Sequence, residues 1–72
     1  MVLIHDQDFY NRKTNERHNI RIGFGWISPV SNGTYRVFMD DVVQAEVKTK
    51  RMAFDKAVEL IKDNNLTDIK RF

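Results

Sequence analysis

Arg36 and Phe38 stand two apart in residues 34–39, TYRVFM, and Arg21 is the lone cation among apolar residues and glycines in 20–29, IRIGFGWISP. If both stretches are extended, the two-residue period puts Arg36 and Phe38 on one side of a strand, and a reversal between the stretches brings Arg21 beside them. A ring between two guanidinium groups stacks an unpaired base at about 1–3 kcal/mol while the cations hold phosphates. The same set suits a protein interface, where aromatic residues and arginine are enriched. A strand over 42–48 adds to it, because Gln44, Glu46 and Lys48 alternate with Val43, Ala45 and Val47.

The remaining cations fall into two islands. Residues 11–21 hold Arg12, Lys13, Arg17 and Arg21 against Glu16, and residues 48–56 hold Lys48, Lys50, Arg51 and Lys56 against Asp55, so each stretch is +3 although the whole chain is only +2. Such islands attract phosphates or an acidic protein partner, whereas a solvated basic loop is the plain structural alternative.

Other chemistry is poorly supplied. His5, Asp6 and Asp8 in HDQD are metal-ligand types, but alternation separates Asp6 from the side of His5, and His18 falls in a polar stretch that reads as a loop. Asp40 and Asp41 are adjacent carboxylates that a two-residue hairpin turn explains. No phosphate-cradling glycine loop is present, and GFG lacks the third glycine and the strand-to-helix setting of a dinucleotide site. No serine or threonine stands with a suitably spaced histidine and aspartate. The reading is therefore non-enzymatic, with no metal and no cofactor.

Behind these residues stands a chain of 72 with no cysteine, which excludes disulfide staples and thiolate chemistry. A domain of that size buries only about 60–65% of its unfolded surface, and a drug-sized pocket would consume much of its interior. The first ten residues show no basic leader and no apolar run of signal length, and nothing approaches the ~20 apolar residues of a membrane span. The expectation is a soluble, cytoplasmic, single small domain over residues 1–72.

Strands are predicted over about 2–10, 19–28, 34–39 and 42–48. Residues 11–19, NRKTNERHN, read as a loop or frayed hairpin tip, and SPVSNG at 28–33 as a reversal. After Thr49, a suitable N-cap, the period changes: stepping residues 50–64 at 100° gathers Ala53, Phe54, Ala57, Val58, Leu60 and Ile61 within about 160°, with Arg51, Asp55, Lys56, Glu59, Lys62 and Asp63 opposite. Met52 falls on that charged side. Asn64-Asn65 offers a left-handed stop, and TDIKRF reads as a short edge strand or docked tail. The fold class is α+β, a four-stranded antiparallel meander with one C-terminal amphipathic helix on one face.

One helix covers one face of such a sheet. In 20–27 one side carries Ile20, Ile22, Phe24 and Trp26, whose burial contributes on the order of 6–12 kcal/mol before entropy, so this side is expected to meet the helix together with Tyr35, Val37 and Met39. Arg21, Gly23 and Gly25 then lie on the bare side with Arg36 and Phe38, the glycines leaving a shallow strip.

GFGWI at 23–27 also resembles the centre of the RNA-recognition-motif signature, and IGFGWISP followed by VFMD resembles the nucleic-acid strands of the cold-shock domain more closely. That resemblance implies stacking roles for Phe24, Trp26 and Phe38 in an OB-type barrel. It spans residues 22–40, with Ile22 where that family has lysine and Asp40 where it has histidine; FYN at 9–11 echoes a family motif upstream, and the helix at 50–64 stands where the barrel needs strands. The chain is not assigned to the family on it.

The leading expectation is a nucleic-acid-binding module, for single-stranded or structured RNA or DNA, using Arg21, Arg36, Phe38, Lys48, Lys50, Arg51, Arg12, Lys13 and Arg17. The alternative is a small protein-binding regulator or inhibitor that docks an acidic protein through the same face or a strand edge, with homodimers formed through an edge as a further possibility. No membrane partner is expected.

Overall fold

Alternation at 20–26 and its echo at 35–39 set the centre of the sheet. The computed structural model describes residues 2–26 and 33–68, apart from the side chain of Trp26, and contains β1 (Val2–Asn11), β2 (Arg17–Trp26), β3 (Gly33–Met39), β4 (Val42–Val47), α1 (Lys50–Asp63) and β5 (Leu66–Asp68). Its sheet is antiparallel throughout, in the order β4-β3-β2-β1-β5. The α+β class and the helix on one face stand as expected. The sheet gains a fifth strand, the short edge strand foreseen near the C-terminus, at Phe9–Asn11 of β1. The reversal at 27–32 and the orientation of Trp26 lie outside the described residues.

Ile20, Ile22 and Val37 have no exposed surface and lie side by side, Ile22 opposite Val37 across β2 and β3. Phe9, Leu66 and the helical Ala53, Ala57 and Leu60 complete the core. Two alanines facing the sheet let the helix backbone approach closely, which a domain with so little interior needs. Thr49 caps the helix, its Oγ1 accepting from the Met52 N–H at 3.2 Å. Asn64 N–H and Nδ2 both donate to the Leu60 carbonyl, and Asn65, at φ 55°, turns the chain into β5.

Several expectations need correction. The polar stretch 11–19 is not all loop: β1 runs through Asn11 and β2 begins at Arg17. His18 is thus a strand residue opposite Phe9. Asn11 makes the tighter turn possible, its Oδ1 accepting from the Lys13 and Thr14 N–H groups while Asn15 takes φ 64°. Val58, placed in the apolar arc, is 48% exposed: it falls at the edge of that arc, turned away from the buried stripe of Ala53, Ala57 and Leu60.

Alternation also fails on β1 and β4. In β1 a bulge at Ile4 leaves Leu3 opposite Gly23 and His5 opposite Ile22. In β4, Val37 pairs with Ala45 and Phe38 with Val43, so Gln44 is an extra residue and Val43 moves to the side opposite Ala45 and Val47. A two-residue period read through a bulge inverts everything beyond it.

Candidate interaction surfaces

Among the described residues nothing covers the face opposite the helix. Register places Arg21 directly opposite Phe38 and Gly23 opposite Arg36, so the ring and both guanidinium groups share that face, as expected. The bulge adds Val43 beside Phe38, and the β1 pairing adds Leu3, Asp6, Asp8 and Tyr10. The glycine strip is not an open slot. Gly23 is buried and Gly25 half-buried.

Charge on this face is balanced. The Arg36 Nε donates to Glu46 Oε1 at 2.7 Å across β3 and β4. Arg21 donates through Nε to Asn19 Oδ1 at 2.8 Å and through Nη2 to the Asp41 carboxylate. Arg17 lies 3.4 Å from Asp8. The Asn19 amide bridges Asp6 and Asp8 at 2.7 and 2.8 Å. Three arginines therefore meet one carboxylate each while Asp6 rests on Asn19, and side-chain exposures of 37% for Arg21 and 32% for Arg36 leave each only partly available. Carboxylates scattered along the sequence at Asp8, Asp41 and Glu46 reach these arginines only through the strand register.

The β3–β4 turn is built by two aspartates. Asp40 and Asp41 have φ of 52° and 68°, a hairpin-turn geometry usually given to Asn or Gly, which confirms the turn reading of this pair. Asp40 offsets the strain by closing the end of β2: its N–H donates to the Asn19 carbonyl, its Oδ1 accepts from the Asn19 N–H, and His18 Nδ1 lies 2.6 Å from its Oδ2. A carboxylate only accepts, so Nδ1 carries the proton in that contact. Burial pushes the Asp40 carboxyl up, but the His18 hydrogen bond, the Asn19 N–H and the His18 charge outweigh it and hold the group below its ordinary value.

The two basic islands do not merge. Arg12, Lys13 and Arg17 flank the β1–β2 turn, where Arg12 Nη2 reaches Thr67 Oγ1 at 3.5 Å. Lys48, Lys50 and Arg51 lie past Val47, which shares a row with Tyr35 and Phe24 at the other end of the sheet. Seven residues of β2 separate the rows, about 23 Å at 3.3 Å per residue. Lys48, Lys50 and Arg51 have no carboxylate partner among the described residues, and Lys50 Nζ sits 6.0 Å from the centre of the Phe54 ring.

The barrel-like stacking set does not assemble either. Phe24 lies on the helix side, its centroid 4.8 Å from that of Tyr35, while Phe38 lies on the other face. The Phe24 ring also fills the space over Gly33, where a Cβ would meet it at 2.4 Å. His5 and Asp6 point to opposite faces, as alternation requires, and His5 packs edge-on against Phe54 at 5.4 Å. Among the described residues no three histidine or acidic side chains gather as a metal-binding group. No described helix is long and apolar enough to cross a membrane.

No family model, curated protein or solved structure matches this chain.

Proposed function

We propose that this chain is a small non-enzymatic protein-binding module that docks a partner through the uncovered sheet face. The observation that carries the reading is the pairing of each arginine on that face with its own carboxylate, around exposed Leu3, Tyr10 and Val43 and half-buried Phe38. Neutralised arginines have little charge left for a phosphate backbone, yet arginine and aromatic residues among satisfied polar groups are what protein interfaces use. Lys48, which follows Val47 and alternates to this face, has no carboxylate partner among the described residues and leaves a positive charge at its end, which favours an acidic partner. The edge strand β4 and the part of β1 that β5 leaves unpaired are each interrupted by a bulge, so addition of a partner strand is disfavoured relative to docking on the face.

Nucleic acid, single-stranded or structured, is the second reading, supported by Phe38 lying between Arg21 across the strand pair and Arg36 two residues away. It requires those arginines to leave Asp41 and Glu46. A photo-crosslinking residue at position 38 tests the first reading: the expected result is one protein crosslinked in cells, lost when the crosslinker is moved to Met52 on the far side. Crosslinks to nucleic acid alone overturn it. So does oligonucleotide binding that falls by about 0.7 log units per neutralised phosphate for each tenfold rise in salt on single strands.

A further inference from the structure

The helix side of the molecule carries a second surface, independent of the uncovered face. α1 crosses the sheet obliquely, from the end of β4 to the start of β5, and packs mainly on β3, β4 and β5. One of its flanks overlooks the outer half of β1, where Phe54 meets His5. Stepped at 100° per residue, that flank reads Lys50, Ile61, Phe54, Val58, Arg51 and Lys62, with the single carboxylate of Asp55 next in order on its solvent edge. The opposite flank holds Met52, Lys56, Glu59 and Asp63, and there Lys56 pairs with Glu59 at 3.4 Å.

Three features set the β1-facing flank apart from an ordinary solvated helix side. Its apolar residues are unfinished: Phe54 and Ile61 only lean on the core, Val58 is 48% exposed, and Val2, on the helix side of β1 opposite Phe24, is 66% exposed. Lys50, Arg51 and Lys62 have no carboxylate partner among the described residues. Finally, the β1 floor beneath the flank supplies His5 and Gln7 but no free acid. Asp6 and Asp8 point to the other face, and Asp68 is engaged by Gln7 Nε2 at 2.8 Å. Apolar surface edged by three unpaired cations against the one carboxylate of Asp55 keeps a net positive charge and is complementary to a segment that is apolar along one stripe and acidic beside it.

We propose that the Phe54–Val58–Ile61 flank of α1, between Lys50, Arg51 and Lys62, docks an acidic amphipathic helix of a partner protein. Lys50 and Lys62 stand twelve residues apart in the sequence, about 18 Å along the helix, which a partner helix of three to four turns spans. Its apolar stripe covers Val58 and Phe54, and its carboxylates meet the three cations in place of water.

The probe is a synthetic helix of about 14 residues with a leucine stripe flanked by glutamates, titrated into the full chain while backbone amide shifts are followed. The expected result is saturable binding with shifts confined to α1 and to β1 near Val2 and His5. Val58→Asp, and separately Lys50→Glu with Arg51→Glu, weaken binding about tenfold or more, whereas Phe38→Ala on the other face leaves it unchanged. The exposed positions of Val58, Lys50 and Arg51 keep these variants folded, which the same spectra report. No saturation at millimolar peptide, equal binding of a peptide with lysine for every glutamate, or shifts centred on Phe38 and Arg36 overturns the proposal. Tighter binding of a single-stranded oligonucleotide at the same flank also overturns it. A positive result here with no crosslink from position 38 separates this surface from the one on the sheet.

Discussion

The two faces of this sheet are made from the same strands and held by different physics. Toward the helix, Ile20, Ile22 and Val37 are wholly buried, and stability comes from apolar surface removed from water. On the other face Arg36–Glu46, Arg21–Asp41 and Arg17–Asp8 lie across neighbouring strands or in a turn, partly exposed, where an ion pair contributes about 0–1 kcal/mol. The helix face therefore resists change. The uncovered face can be rewritten at small cost, which is what a recognition surface needs.

Substitution inside the helix-facing core breaks the comparison hardest. Ile22→Ala is expected to lose about 2–5 kcal/mol in urea unfolding, a large part of the net stability of a small domain. Gly33→Ala comes next, at about 1–3 kcal/mol, since the new Cβ meets the Phe24 ring. Combining it with Phe24→Ala is expected to recover part of that loss, and an additive double mutant would show that the ring is not the cause. Thr49→Ala removes the cap on Met52 N–H and is expected to cost about 1 kcal/mol, read from thermal or urea unfolding.

On the uncovered face a double-mutant cycle of Arg36→Ala and Glu46→Ala is expected to give a coupling of about 0.2–1 kcal/mol that shrinks with added salt. A coupling of several kcal/mol would mean that this pair is structural and erase the contrast between the faces. The smallest effect is a pH dependence. Because the Asp40 carboxyl is held below its ordinary value, its contribution is present above about pH 4 and fades as pH falls through the lowered value. The stability difference between the wild type and Asp40→Asn is thus expected to shrink as pH falls below about 4. A difference that is flat down to pH 2 would sever Asp40 from the His18 and Asn19 contacts.

Where the sequence was legible, the reason was local. Thr49, the 3.6-residue period of 50–64 and the Asp40-Asp41 turn each act within a few residues, and all three were readable; the edge strand at Leu66–Asp68 was readable as one of two options. Arg21, Arg36 and Phe38 could be placed on one face because β2 and β3 pair without a bulge. Val43 could not, because the extra residue at Gln44 depends on how β4 meets β3.

Alternation and period by themselves determined that there would be a sheet with one helix, and which side of its central strands the helix would take, since burying isoleucines outweighs any other use of them. Tertiary structure alone decided that Arg17, Arg21 and Arg36 are neutralised, that the two basic islands stand at opposite ends, and that one flank of α1 keeps its cations unpaired. Charge pairing across strands depends on register, and register is set by pairings that run from Met39–Val42 beside a turn to Val2–Phe24 across the sheet and by the bulges among them, which no local pattern encodes.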